Sequence, residues 1–151
     1  MRLWHIDIIP YLPKSQLIAQ WRELNSIFKK QDKHILINYI YDYDKVYLQN
    51  YANRVMEELS YLGVKFRQQS IENYTNYFRD IELEKQLFFP KHDDKYKFKE
   101  HDNEYLHICF HNLKEKYIRG QKDFSKEIFE KLYNFYLTNA KFNVIIGQRS
   151  D

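Results

Sequence analysis

A chain of 151 residues, 44% hydrophobic and 30% charged, has the size and balance of one helical or mixed domain spanning 1–151, able to bury about two thirds of the surface its unfolded form exposes. A net charge of +3 and an isoelectric point near 8.8 permit a polyanionic partner without demanding one. The single cysteine, Cys109, excludes an intramolecular disulfide, a Cys-x-x-Cys redox pair and a zinc knuckle, and reads as a buried, inert thiol. No run of about 18 apolar residues and no signal-peptide pattern are present, so the expectation is a cytoplasmic protein that neither inserts into membranes nor is exported.

The opening segment, 1–13, carries Pro10 and Pro13 among Leu3, Trp4, Ile6, Ile8 and Ile9, and is expected to pack as an extended N-terminal arm that lays the first residue against the body. From Lys14 to about Lys30, the residues Leu17, Ile18, Trp21, Leu24, Ile27 and Phe28 recur at spacings of three and four, which predicts an amphipathic helix. The short apolar run 34–38 is read as a buried helical turn. A second helix is predicted over 45–62, closed by Gly63, and a short one over 70–76 starting at Ser70. Residues 88–99, with Pro90 and many charges, are read as a loop carrying Lys91, Lys95, Lys97 and Lys99. A third long helix over 102–119 ends at Gly120, and a last one over 125–140 is capped by Ser125, with Glu127 and Glu130 near its positive end. The fold class is mainly α: a compact single-domain helical bundle with an extended N-terminal arm.

Only three glycines are present, with no phosphate-binding glycine loop, no Gly-x-Ser-x-Gly elbow and no His-Glu-x-x-His, so nucleotide-cofactor enzymes of the common folds are excluded and no cofactor is expected. Fourteen tyrosines and eleven phenylalanines interleaved with Lys and Arg suit a surface that stacks bases and holds phosphates, although enrichment in Asn, Lys and Ile alongside them is also what AT-rich coding DNA produces. His107 and His111 lie four apart on one helix with His101 and Glu104 upstream. A metal site needs at least three converging ligands, and a solvated or phosphate-facing helix surface fits this pattern better, so no metal is assigned. On the first helix, Arg22 and Glu23 sit beside the apolar stripe, and Ala19 and Ser26, both small, share the face of Glu23. Such a position leaves room for a substrate and can raise a carboxyl pKa, while an ordinary wet charge pair remains the alternative.

The stretch Leu17-Ile18-Ala19-Gln20-Trp21-Arg22-Glu23-Leu24, followed by Ile27-Phe28, resembles the first-helix motif of the pyrimidine-dimer DNA glycosylases, the phage-type endonuclease V family. The similarity continues through His34-Ile35-Leu36-Ile37 and Tyr41-Asp42-Tyr43-Asp44-Lys45 to the segment from Glu57 to Phe66. The opening Met1-Arg2-Leu3-Trp4-His5 and Ile9-Pro10-Tyr11-Leu12-Pro13 resemble a cellular branch of that family. The second half of the chain matches poorly. The resemblance implies a helical enzyme whose terminal α-amine attacks the sugar C1′ of damaged double-stranded DNA while Glu23 assists and Arg22 holds phosphate. Three positions depart from the motif. Arg2 is too bulky to permit removal of the initiator methionine, so the free amine belongs to Met1, and Ser26 stands where the family carries a second phosphate-binding arginine. Gln16 stands near the place of a family histidine.

An α-amine titrates near pH 8 as a class, against about 10.4 for lysine, so it is partly neutral and nucleophilic at pH 7. The expected function is therefore that of a monomeric DNA-repair glycosylase with abasic-site lyase activity. Met1 and Glu23 are its catalytic candidates, and Arg2, Arg22, Lys29, Lys30, Lys33, Lys95, Lys97 and Lys99 its DNA-binding candidates. The alternatives are a noncatalytic DNA-binding module of the same fold, or a helical interaction or metal-binding module using His101, Glu104, His107 and His111.

Overall fold

The computed structural model describes residues 1–82, 85 and 92–142, and among these it is helical with no strand. Five α-helices follow in order: α1 (Lys14–Lys30), α2 (Lys45–Tyr61), α3 (Gln68–Tyr77), α4 (Asn103–Ile118) and α5 (Lys126–Asn139). Two of them begin at a side-chain cap. Ser125 accepts the Ile128 N–H at the start of α5, and Asp102 accepts the Tyr105 N–H at the start of α4, so the orphan donors of the first turn are met by side chains. Gly63 and Gly120, with φ of +78° and +80°, end α2 and α4 in the left-handed conformation that only glycine adopts without strain. The short helix α3 begins two residues earlier than Ser70, with Arg67 as its N-cap.

The mainly helical class is as expected, but the arm is not extended throughout. Residues 1–5 carry no helix, whereas Ile6–Tyr11 wind into a 3-10 helix that His5 caps by accepting the Asp7 N–H. Leu3 is fully buried ahead of this helix, and Ile6, Ile8 and Ile9 are buried within it, because a short tight helix turns three large aliphatic residues inward within six positions. The arm is thus an element of the core. Its 3-10 helix packs against both α2 and α5, while α1 packs against α2 and α3, and α4 pairs with α5. One continuous apolar cluster runs from Leu3 and Leu17 through Met56 and Leu59 to Leu113 and Leu132.

The expectation of a buried turn at 34–38 is corrected. Residues 35–37 do form a turn, continued by a 3-10 helix at Asn38–Asp42, but only Ile37 reaches the core; Ile35 is 83% exposed and Leu36 41%. The run is too short to have two buried faces, so burying Ile37 turns its two apolar neighbours outward. The loop read over 88–99 lies partly outside the described residues; within them, Asp94–Tyr96 form a single 3-10 turn. No helix of the described residues is long and apolar enough to cross a membrane.

Candidate active site

The stripe Leu17, Leu24, Ile27 and Phe28 buries one face of α1, and Gln20 falls on that same face at three-and-four spacing. A glutamine only 1% exposed must satisfy its amide, and its bonds tie the arm to the helix. Its Oε1 accepts the Trp4 backbone N–H at 2.9 Å and the Tyr51 hydroxyl at 2.8 Å. Its Nε2 donates to the Arg2 carbonyl at 3.1 Å and to Glu23 Oε2 at 2.9 Å. Tyr51, fully buried on α2, also donates to the Trp4 carbonyl at 2.8 Å. From α4, the Tyr105 hydroxyl donates to the Leu3 carbonyl.

This clasp brings Met1, Arg2 and Glu23 into one cleft of about 290 Å³, whose walls also include Trp4, Gln16, Ala19, Gln20, Leu36, Asn112 and Lys116. Glu23 is half-buried, and desolvation is the largest influence on its carboxyl, raising its pKa above the ordinary carboxylate value. Opposing influences come from the positive terminal amine, the Arg2 backbone N–H, Gln20 and Arg22. The cleft can therefore hold a nucleophilic nitrogen beside a carboxyl that keeps its proton to higher pH than an exposed one.

Arg2 directs its guanidinium over the Tyr105 ring, 5.7 Å from the centroid, so the bulky second residue is accommodated by α4 without filling the cleft. Arg22 does not line this cleft but a neighbouring groove of about 340 Å³ between α1 and the start of α3, shared with Lys29, Lys65, Arg67, Trp21 and Phe66. Among the described residues no carboxylate lines that groove. Lys30 and Lys33 are exposed at the end of α1 and beyond it. Lys95, Lys97 and Lys99 do not line the cleft. Lys97 is held at 2.8 Å by Asp7 and at 3.7 Å by Asp94, Lys95 lies over the Tyr96 ring, and Lys99 is exposed beside Glu100. Ser26 does not open onto the cleft either, since its hydroxyl donates to Asp32.

Gln20, Tyr51, Asn112, Lys116, Lys65 and Arg67 were missed in the sequence. Gln20 had a readable signal, a polar residue in the middle of an apolar stripe. Asn112 and Lys116 share a helix face at i, i+4, but nothing local says that this face meets the arm. The histidine cluster does not converge. His101 accepts the Ile6 N–H at 3.0 Å on Nδ1 and pairs with the Tyr39 hydroxyl at 2.7 Å on Nε2, while His107 pairs with the Tyr136 hydroxyl and, at 2.8 Å, the Lys141 carbonyl. Among the described residues no three His, Cys, Asp or Glu side chains gather as a metal site would require.

Fold and cleft together define an all-helical protein that gathers a terminal amine, a half-buried carboxyl and several cations at one opening. The family model described as pyrimidine dimer DNA glycosylase matches residues 1–72, just under half of the chain, and over that stretch the chain is similar to this family, as its sequence motifs indicated. The match takes in the arm, α1, α2 and the first half of α3. No curated protein and no solved structure matches the chain.

Proposed function

We propose that this protein is a DNA glycosylase with an associated abasic-site lyase activity, acting on damaged pyrimidines in double-stranded DNA through the amine of Met1. The observation that carries this reading is the cleft shared by the Met1 amine and the half-buried Glu23 carboxyl, bordered by Arg2 and Lys116, with Arg22 acting on Glu23 from the adjacent groove. None of these three cations makes an ion pair among the described residues, so they remain available to phosphate.

In the neutral amine the nitrogen lone pair forms a bond to C1′, the glycosidic bond breaks with its electron pair leaving on the base, and a proton lost from the nitrogen neutralises that base. Glu23 in its acid form gives a proton to the ring oxygen as the sugar opens, which leaves a Schiff base between Met1 and C1′. The Glu23 carboxylate then removes a C2′ proton, and the electrons expel the 3′ phosphate. Glycosylase and lyase steps share one covalent intermediate, and a carboxyl with a raised pKa is better suited than an exposed one to act first as donor and then as acceptor.

Borohydride tests the scheme by reducing the Schiff base. Incubation with duplex containing a pyrimidine dimer or an abasic site is expected to give a stable protein–DNA adduct whose cross-linked peptide begins at Met1. Acetylating the α-amine should abolish it, because an amide nitrogen is not nucleophilic. An adduct mapping to a lysine would remove the terminal amine from the scheme while keeping the lyase class. Absence of any adduct would leave a noncatalytic DNA-binding protein.

A further inference from the structure

We propose that the exposed tip of the turn at Ile35 and Leu36 is a wedge that enters the DNA base stack beside the lesion; this rests on the glycosylase reading above. Ile35 is 83% exposed, more than any other aliphatic residue among those described, and Leu36 beside it is 41% exposed and lines the cleft that holds Met1 and Glu23. Isolated exposed apolar side chains are ordinary, but two in succession at the lip of a polar cleft are not.

The tip is held in shape. Below it Ile37 is fully buried, the Ile37 N–H donates to the His34 carbonyl at 2.9 Å, the Leu36 N–H donates to the His34 ring at 3.2 Å, and the Ile40 N–H donates to the Ile37 carbonyl at 3.0 Å. A turn anchored at one end in the core presents its apolar tip in a fixed direction, and the ordering entropy is already spent before DNA arrives.

The chemistry of the cleft supplies the need. C1′ of a stacked nucleotide is shielded in a duplex, so an amine held on a folded arm reaches it only if the stack opens, and a base leaving the stack creates a void. Short aliphatic side chains fill such voids in proteins that kink DNA. The surroundings favour a polyanion over an apolar protein partner: Lys29, Lys30 and Lys33 lie just before the tip in the chain, and Arg2 and Lys116 line the cleft with Leu36.

Opening the stack is needed for duplex and not for a single strand, which separates a wedge from a structural residue. Single-turnover cleavage of an oligonucleotide with one thymine dimer, measured as duplex and as single strand, is expected to show the duplex-to-single-strand rate ratio falling about tenfold or more in Ile35→Ser. Ile35→Met, which keeps apolar bulk, should hold that ratio within about threefold of the wild type, by the same void-filling argument. An unchanged ratio in Ile35→Ser overturns the wedge, as does an equal fall in both variants. A concentration-dependent dimer of the wild-type protein that Ile35→Ser dissolves would assign the tip to self-association and overturn it too. If the wild-type protein cleaves neither strand form and gives no borohydride adduct, the glycosylase reading itself fails; if it gives the adduct but the ratio does not move, only the wedge fails.

Discussion

Successive stretches of the same N-terminal arm line two clefts that dispose of charge in different ways. Met1, Arg2 and Trp4 border the first, with Glu23 and Lys116; His5, Asp7, Pro10 and Tyr11 border the second, with Lys97, His101 and Asp102. In the second, polar groups are matched to one another: Asp7 holds Lys97, and His101 uses both ring nitrogens. In the first, among the described residues, Arg2 and Lys116 make no ion pair with a carboxylate and the one carboxyl is desolvated beside an amine. The larger opening is the one whose groups are already satisfied, so size is a poorer guide to chemistry here than unspent charge.

The contrast breaks most decisively at Glu23. Glu23→Gln is expected to preserve folding and DNA affinity and to lower strand cleavage by about two to four powers of ten, because the amide keeps the size and loses proton exchange. Because the scheme starts from the acid form of Glu23, the fall in rate that accompanies loss of that proton should come as the pH rises, and at a higher pH than an exposed carboxyl would give, following the raised Glu23 carboxyl. Native-rate cleavage by the glutamine variant would reduce Glu23 to a surface charge.

The second cleft should respond to pH through stability. Burial pushes the His101 pKa down to about 3 from an ordinary value of 6.5, and His5 is shifted in the same direction for the same reason. The unfolded chain therefore takes up protons that the folded one refuses. The contribution of His101 is full above about pH 6.5 and is lost progressively as the pH falls from there toward 3. Urea denaturation at pH 7 and pH 4.5 should show a smaller acid loss in His101→Gln than in the wild type; equal losses would count against this assignment.

Smaller effects distinguish the clasp from the surface. Tyr51→Phe removes a buried hydroxyl from Gln20 and from the Trp4 carbonyl, and should cost about 1–3 kcal/mol in denaturant melts. It should also slow cleavage, since Gln20 orients Glu23; a destabilised variant with native cleavage would separate the clasp from the chemistry. Lys116→Met should lower the slope of log affinity against log salt by about one unit, if Lys116 contacts one phosphate. Lys97→Met, already ion-paired with Asp7, should change that slope less and cost no more than about 1 kcal/mol of stability. Equal slopes for the two variants would erase the distinction between the clefts.

Much of this was legible because it is local. Hydrophobic spacing gave the long helices to within a residue or two, and glycines and caps gave their ends, since a backbone hydrogen-bond ladder depends on neighbours three and four positions away. The Trp21-Arg22-Glu23 motif singled out the carboxyl in the same way. The exposed tip at Ile35 was misread because a five-residue apolar run does not say which of its members faces the core.

By itself the sequence determined the helical class, the helix boundaries and the candidacy of Met1 and Glu23. Only the tertiary structure decided that Gln20 clasps the arm to α1, that Lys116 from α4 joins the cleft while Lys97 does not, and that Ile35 stands in water. Those facts depend on contacts between residues far apart in the chain, as Gln20 with Tyr51 and Leu3 with Tyr105, and periodicity along one helix carries no information about which face of another it meets.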